Sequence, residues 1–163
     1  MKNIVLIGMM GCGKSTVGAL LAQKLGLTLV DTDALIEERE GRSISEIFAA
    51  DGEDYFRDQE LGVSEELARR QDLVIACGGG LPMKPDCIGS LKYSGTVIWL
   101  RRDPAETYDT MEISGRPLAQ QGREAFLERF AQREPIYRQW ADLVVEDFST
   151  VENTLNAVLE GLE

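Results

Sequence analysis

Residues 8–15 read Gly8-Met9-Met10-Gly11-Cys12-Gly13-Lys14-Ser15. This is the phosphate-binding loop pattern, in which a glycine and four further residues precede Gly-Lys-Ser or Gly-Lys-Thr. The apolar run 4–7 before it predicts a strand, and the spacing of apolar residues in 15–25 predicts a helix. Such a loop aims backbone N–H groups and the positive end of a helix at one anion. An ordinary glycine-rich turn is the alternative, but it does not require strand, loop and helix in this order.

Two side chains of the loop carry further chemistry. Lys14 is expected to reach the outer phosphates of a nucleotide, and Ser15 to ligate a magnesium ion. Cys12 also lies inside the loop. A reactive thiol is one interpretation of Cys12, but a small loop residue without a redox role is the simpler one.

Composition limits the class of protein. The chain has 163 residues, of which 44% are hydrophobic and 28% charged, as expected of one globular domain with a proper core. The formal net charge of −11 argues against nucleic acid as a partner. No apolar run is long enough to cross a bilayer, and three cysteines make no disulfide framework. We therefore expect a cytoplasmic protein that binds no membrane, and we expect a monomer, although the charge leaves association open.

The absence of histidine restricts the chemistry of any catalytic site. A general base must then be an Asp, Glu, Lys, Tyr or Cys side chain. The negative overall charge also means that local cations must hold any bound phosphate. Arginines beside glycine turns are therefore the side chains of interest.

Strand-type and helix-type segments alternate along the chain. We predict strands at 4–7, 28–30, 73–77, 96–100 and 143–145, and helices at 15–25, 33–40, 44–51, 53–70, from 103, at 123–133 and from 149 to 162. Capping boxes at Ser43 with Glu46 and at Ser149 with Glu152 predict two helix starts. Pro135 is expected to break or kink its helix. The alternation predicts a doubly wound α/β fold with a parallel sheet in one domain, 1–163.

Two segments interrupt this alternation. Residues 33–60 form a helical insertion between the second and third strands, which can wall a pocket for a second substrate. Residues 112–124 are irregular and polar around one arginine, Arg116, and suggest a lid.

Polar residues follow the strands where a parallel sheet places its ligands. Asp31 and Asp33 follow the second strand, and Gly78-Gly79-Gly80 follows the third. Three glycines suggest that a ligand hydroxyl or phosphate approaches the backbone, but a simple tight turn explains them equally well. Asp33 also fits a helix cap.

Two arginines complete the set of candidate site residues. Arg57 and Arg133 lie in helical segments with further polar residues, Glu60 and Tyr137, and they suggest an anion pocket. A lone arginine in a helix is more often a solvated charge. The combination with the phosphate loop and the carboxylates favours a site.

With these motifs together, the sequence resembles shikimate kinases along nearly its whole length. The motifs that carry the resemblance are Gly11-Cys12-Gly13-Lys14-Ser15-Thr16, Asp31-Thr32-Asp33, Phe56-Arg57 with Glu60, Gly78-Gly79-Gly80, Arg116-Pro117-Leu118, and Arg133 with Pro135 and Tyr137. The resemblance implies a nucleoside-monophosphate-kinase-like fold with a five-stranded sheet ordered 2-3-1-4-5. It also implies transfer of the ATP γ-phosphoryl group to the 3-hydroxyl of shikimate, a step of aromatic amino acid synthesis.

The resemblance also implies roles for individual residues. ATP would bind the loop through Gly11, Cys12, Gly13, Lys14, Ser15 and Thr16, with Arg116 closing over the phosphates as a lid; Ser15 would ligate Mg²⁺, and Asp31 would support the ion through water. Shikimate would bind to Asp33, Arg57, Gly78, Gly79, Gly80 and Arg133, with both arginines on its carboxylate. The residues expected to be catalytic are Lys14, Asp33 and Arg116.

The sequence departs from the family pattern near the nucleotide. Seven residues before the lid arginine the family commonly has an arginine that lies against adenine, and here that residue is Asp109; Ala119 replaces a usual leucine. One hypothesis is that adenine stacks on Tyr108. The alternative is that Tyr108 packs into the core and adenine rests on Arg102 or on backbone near Phe148.

Three other functions compete with this interpretation. A gluconate-type kinase shares the fold and the loop but does not need the pair Arg57 and Arg133. A nucleoside monophosphate kinase needs a base pocket, which the sequence does not indicate. A non-catalytic ligand sensor would not need Lys14, Asp33 and Arg116 together.

Overall fold

The computed structural model describes residues 2–110 and 122–163. Five parallel strands form one sheet in the order β2-β3-β1-β4-β5. The strands are β1 (Asn3–Ile7), β2 (Thr28–Asp31), β3 (Leu73–Ala76), β4 (Gly95–Leu100) and β5 (Leu143–Val145). The helices are α1 (Lys14–Leu25), α2 (Thr32–Glu40), α3 (Ile44–Ala68), α4 (Pro85–Ser94), α5 (Pro104–Thr110), α6 (Arg123–Trp140) and α7 (Val151–Gly161), with a 3₁₀ turn at Leu81–Met83. The predicted doubly wound sheet is confirmed.

Helices cover both faces of this sheet, because alternate residues of a strand point to opposite sides. In β1, Val5 and Ile7 belong to a core with residues of α3, α4 and α6, such as Phe126. Ile4 and Leu6 belong to a second core with residues of α1 and α7, such as Val158. All residues of β1 and β3 are buried, which explains their continuous apolar sequence.

Helices α2 and α3 lie between β2 and β3, where the helical insertion was predicted. The capping box at the start of α3 is present, with Glu46 N–H donating to Ser43 Oγ and Ser43 N–H donating to Glu46 Oε1, each at 3.1 Å. Gly52 interrupts the helix with φ 87° and ψ 171°. This confirms the predicted boundary between two helical pieces at Gly52.

Pro135 was predicted to break or kink its helix, and the break is wrong, because α6 continues through Pro135 from Arg123 to Trp140. Pro135 lies on the exposed side of the helix. The carbonyl that loses its hydrogen-bond partner there can turn toward water. The continuation places Arg133 and Tyr137, four residues apart, on one buried face.

Two other helix predictions need correction. The last helix is capped by Thr150, whose hydroxyl accepts from Asn153 N–H at 3.0 Å, so the predicted box of Ser149 with Glu152 does not form. Ser149 instead donates to Asp147 at 2.6 Å. Helix α4 was not predicted, although Pro85 at its first position is a recognised start signal.

Among the helices in the described ranges, none is both long and apolar enough to span a bilayer.

Candidate active site

A cleft of about 700 Å³ lies at the carboxyl ends of the strands. Its lining includes Gly11, Cys12, Gly13, Lys14, Ser15 and Thr16 of the phosphate loop, Asp31 and Asp33, Arg57 and Glu60 of α3, Gly78, Gly79 and Gly80, and Arg133 of α6. The structure therefore brings together the predicted site residues that it describes. Arg116 and most of the predicted lid, 112–124, lie outside the described residues; α6 begins within the remainder, at Arg123.

The phosphate loop has the backbone geometry that its glycines predict. Gly11 and Gly13 adopt positive φ angles of 79° and 92°, which residues with a side chain rarely adopt. Helix α1 then begins without a side-chain cap, so its first N–H groups are available to an anion. Lys14 Nζ donates to the carbonyls of Gly8 at 2.8 Å and Met9 at 2.9 Å. The lysine is thus held at the rim of the anion site.

Ser15 and Asp31 bring a hydroxyl and a carboxylate together beside the loop. Ser15 Oγ donates to Asp31 Oδ2 at 2.6 Å, while Asp31 Oδ1 accepts from Ala34 N–H at 3.0 Å. Asp31 is therefore the N-cap of α2, and Asp33 is not a cap. A hydroxyl and a carboxylate next to a phosphate site fit Mg²⁺, which prefers oxygen ligands and retains several waters.

Asp33 lies in the cleft in surroundings that disfavour the charged form of its carboxylate. Its Oδ1 atom is buried and has no hydrogen-bond partner among the described residues. Burial, with the neighbouring carboxylates of Glu60 and Asp31, raises the pKa of Asp33 to about 7, although Lys14 and Arg57 oppose the shift. A carboxylate with a pKa near neutrality and an unused oxygen can accept a proton from a bound hydroxyl.

The three glycines after β3 make room for the charged side chains of the site. A Cβ on Gly78 would collide with the Asp33 carboxylate, and one on Gly80 would lie 2.5 Å from Arg57 Nη2. A Cβ on Gly79 would lie 3.2 Å from Arg133 Nη1. None of the three has a positive φ. A tight turn does form, with Leu81 N–H donating to the Gly78 carbonyl at 3.1 Å, but without a positive φ it does not require glycine. Close packing against these side chains therefore explains the glycines.

Neither arginine is a solvated helix charge, because Arg133 is buried and Arg57 is largely shielded from solvent. The Arg57 guanidinium pairs with Glu60, whose side chain is fully buried. Burial raises the pKa of Glu60, and the Arg57 charge opposes this shift. The Arg133 residue is only 6% exposed, and it forms no ion pair with any described residue; Nη1 lies 4.0 Å from Met9 Sδ. The guanidinium of Arg133 is therefore available to an anion in the cleft.

Glu60 and Tyr137 were named among the sequence motifs but were not predicted as site residues. Tyr137 Oη donates to the Gly79 carbonyl at 2.7 Å and thereby ties α6 to the glycine turn. Glu60 fixes the orientation of Arg57. The spacing of Arg57 and Glu60, three residues apart in a helix, was the signal that could have indicated their pairing.

The other end of the cleft decides between the two hypotheses for adenine. The Tyr108 ring packs against Phe126, with centroids 5.5 Å apart, and Tyr108 is not part of the cleft lining. Asp109 accepts from Arg123 Nε at 3.0 Å on the surface. Arg102 and Phe148 do line the cleft. The geometry thus favours the alternative hypothesis, in which adenine rests on Arg102 or near Phe148.

The fold and the site together define a class. A parallel sheet in the order 2-3-1-4-5, a phosphate loop at the end of β1 and, beside the loop, a pocket with Asp33, Arg57 and Arg133 (hereafter the acceptor pocket) are typical of a small-molecule kinase of the phosphate-loop type.

Comparison with known proteins identifies the family. The family model described as shikimate kinase matches residues 10–163, and the chain belongs to this family of ATP-dependent kinases. A shikimate kinase of Clostridium botulinum (strain Eklund 17B / Type B) is 39% identical over 159 residues, which are 97% of this chain and 96% of the relative. One of Dehalococcoides mccartyi (strain ATCC BAA-2100 / JCM 16839 / KCTC 5957 / BAV1) is 40% identical in an alignment that covers 99% of this chain and 92% of the relative.

Solved structures agree with this assignment. Shikimate kinase from Acinetobacter baumannii in complex with shikimate has a TM-score of 0.92 at 34% identity, covering 99% of this chain and 93% of that one. A gluconokinase from Sinorhizobium meliloti 1021 has a TM-score of 0.53 at 18% identity, covering 99% and 91%. The second likeness concerns the fold alone.

Proposed function

We propose that this cleft transfers the γ-phosphoryl group of ATP to the 3-hydroxyl of shikimate, giving shikimate 3-phosphate and ADP. The observation that carries the proposal is the position of Asp33. This carboxylate lines one cleft with the phosphate loop on one side and with Arg57 and Arg133 on the other. A hydroxyl acid bound by the arginines would therefore present a hydroxyl to both Asp33 and the phosphoryl group.

The acceptor end suits a small carboxylic acid with several hydroxyls. The planar guanidinium groups of Arg57 and Arg133 can each offer two N–H donors to a carboxylate. The backbone at Gly78, Gly79 and Gly80 carries no side chain that would block ring hydroxyls. Arg57 is paired with Glu60 and with Glu53, whereas Arg133 has no described acidic partner, so the charge of Arg133 is available to a substrate carboxylate.

Asp33 is the group that receives the proton. The 3-oxygen of shikimate forms a bond to the γ-phosphorus as the bond from that phosphorus to the bridging oxygen of ADP breaks. The proton of the 3-hydroxyl moves to a carboxylate oxygen of Asp33, where Oδ1 has no hydrogen-bond partner among the described residues. A pKa of about 7 places the proton affinity of this carboxylate near the pH at which such a transfer is efficient.

The phosphate end supplies positive charge and positioning. The N–H groups of 11–16 and the Lys14 ammonium bind the β- and γ-phosphates, and Arg116 closes over them from the lid at 112–124. Ser15 and Asp31 would hold Mg²⁺, directly and through water respectively. When bound, the ion neutralises charge on the phosphate oxygens. Loss of one cation from this set should slow transfer without changing the acceptor pocket.

The helical insertion at 33–60 is proposed as the wall of the shikimate pocket, since Asp33, Arg57 and Glu60 all belong to it.

The monomeric state, the cytoplasmic location and the absence of nucleic-acid or membrane partners remain predictions from the sequence.

A coupled assay for ADP with purified protein, Mg²⁺, ATP and shikimate tests the proposal. Turnover should require shikimate, and phosphorus NMR of the product should show a monoester on the 3-oxygen. D-Gluconate and nucleoside monophosphates should give no turnover. An analogue that lacks the 3-hydroxyl should compete with shikimate and remain unphosphorylated. Equal turnover with gluconate, or phosphorylation of the analogue, would contradict the assignment.

A further inference from the structure

The cleft has a second end, beyond the phosphate loop and away from the acceptor pocket. This end is bordered by Arg102, Thr110, Phe148 and Val151. The acceptor pocket, with Arg57 and Arg133, occupies the opposite end. A nucleotide whose phosphates lie on the loop must direct its nucleoside away from the acceptor. The nucleoside therefore reaches this second end.

Arg102 spans the second end. The residue follows β4, and its Nη1 donates to the Gly11 carbonyl of the phosphate loop at 3.3 Å. Its Nη2 donates to Thr110 Oγ1 at 3.2 Å and to Glu106 Oε1 at 3.3 Å. The guanidinium thus reaches from the loop to the last residue of α5. The side chain is 23% exposed, so most of it is fixed by packing and one surface remains accessible.

The other charged side chains near α5 are directed elsewhere. Asp109 and Arg123 pair with each other, and both are about half exposed and absent from the cleft lining. Lys14 contacts the loop carbonyls, and the remaining cations of the described lining belong to the acceptor pocket. Arg102 is therefore the cation that the described residues place at this end.

Apolar surface accompanies the guanidinium. Phe148 lines the same end and is half-buried. Val151 is 49% exposed and is one of three large apolar side chains that are exposed in the described part of the chain. A purine base has a flat apolar face, and guanidinium and aromatic groups both stack on such faces.

We propose that Arg102 binds the nucleoside of ATP, with the base stacked on the guanidinium plane and the surface of Phe148 and Val151 completing the site. The inference rests on the proposed function, because it takes the phosphate loop as the site of ATP. It assigns to a side chain after β4 the base contact that Asp109 cannot make.

The test compares a ligand that has a base with one that lacks it. Calorimetry should give the dissociation constants of ADP and of inorganic tripolyphosphate for the parent, Arg102→Ala and Arg102→Lys. We expect Arg102→Ala to weaken ADP binding about tenfold and tripolyphosphate binding less than twofold, because only ADP loses a stacking surface. Arg102→Lys should recover little, since an ammonium keeps the charge without the plane.

Kinetics supply the second readout. Arg102→Ala should raise the KM of ATP about tenfold and leave the KM of shikimate and kcat within about twofold. Arg70→Ala removes an exposed arginine at the opposite edge of the sheet and should change none of these constants.

Three results would overturn the proposal. Equal weakening of ADP binding and tripolyphosphate binding would mean that Arg102 contacts the phosphates. An unchanged KM for ATP would mean that Arg102 does not contribute to the nucleotide site. A loss of kcat at constant ADP affinity would mean that Arg102 only supports the loop. If the parent fails to phosphorylate shikimate, the proposed function fails instead. The comparison of ADP with tripolyphosphate still tests Arg102 in that case.

Discussion

The phosphate loop and the acceptor pocket meet in one cleft, but they are built differently. The loop is a continuous stretch, 8–16, whose shape depends on glycines with positive φ and on the start of one helix. The acceptor pocket is assembled from four distant segments, represented by Asp33, Arg57, Gly79 and Arg133. Its charged groups are held in place by burial and by one another, not by local backbone geometry.

This difference predicts different responses to mutation. The loop presents an exposed anion site on a scaffold that does not depend on the Lys14 side chain for packing. The acceptor pocket couples binding to folding, since removal of one charge leaves its neighbour buried without compensation. Changes in the loop should therefore affect activity alone, and changes in the pocket should affect activity and stability together.

The largest effect is expected for Lys14→Ala. The ammonium is the loop's own cation for the outer phosphates, so kcat/KM should fall on the order of a thousandfold. The melting temperature should stay close to that of the parent, because the lysine contacts only loop carbonyls and the Cys12 sulfur. The measurement is the coupled assay alongside calorimetric melting. Normal turnover in a folded variant would contradict the assignment of the loop.

The next largest effect is expected for Asp33→Asn, which removes the proton acceptor. We expect kcat to fall by roughly a hundredfold or more, with ATP affinity by calorimetry little changed. In the parent, kcat/KM for shikimate should rise with pH through about 7, because Asp33 must lose its proton before it can accept another. A loss of ATP binding with intact shikimate binding would show that Asp33 has been misassigned.

These two residues also mark what the sequence could and could not predict. The loop and the doubly wound fold were predictable because the loop motif is local and the apolar strands alternate with helices, while the strand order followed only from the resemblance to shikimate kinases. The pairing of Gly78 with Asp33 and of Gly80 with Arg57 was not, since it depends on which segments the sheet brings together. Two of the helix errors have physical causes that the motifs did not carry: Pro135 is tolerated because it lies on the exposed side of α6, and Ser149 bonds to Asp147, which leaves the cap to Thr150.

Smaller effects should separate the two arginines. Loss of either charge-assisted contact should weaken shikimate binding by about 1.5–3 kcal/mol, roughly ten- to a hundredfold. Arg57→Ala should also lower the melting temperature, because it leaves Glu60 buried without its partner. Arg133→Ala should lower the melting temperature less, since Arg133 has no acidic partner among the described residues.

Shikimate titrations and melting curves of both variants and of the two Arg→Lys variants provide the measurement. Lysine should restore only part of the affinity, because an ammonium cannot make two parallel hydrogen bonds. Parental shikimate affinity in both alanine variants would exclude the arginines from carboxylate binding.

The glycine turn offers a matched pair of substitutions. Gly78→Ala places a methyl group against the Asp33 carboxylate, whereas Gly62→Ala adds one in open space on α3. Gly78→Ala should raise the KM of shikimate about tenfold and lower the melting temperature. Gly62→Ala should keep the parental kinetics and match or exceed the parental stability, because alanine is the better helix former. Equal behaviour of the two variants would mean that Gly78 does not make room for Asp33.

The smallest expected effect concerns stability and pH, and it has the opposite sign to that of most carboxylates. The pKa of Asp33 is about 7 in the folded protein and near 3.8 when exposed. Below 3.8 both states keep the proton and folding is not penalised. As pH rises from there to 7, the unfolded chain loses the proton while the folded protein still keeps it, so the contribution of Asp33 to stability falls; above 7 both states are ionised and the full penalty of the buried charge remains. Asp33→Asn should therefore stabilise the ligand-free protein at pH 8 by roughly 1 kcal/mol or more, which raises the melting temperature by about 2–4 °C, and should change the stability little at pH 4.

Asp58→Asn, which removes an exposed carboxylate from α3, is the control and should shift the melting temperature little at either pH. If Asp33→Asn gave the same shift at both pH values, the raised pKa would be excluded as its cause. The acceptor pocket would then differ from the phosphate loop in its assembly but not in its dependence on buried charge.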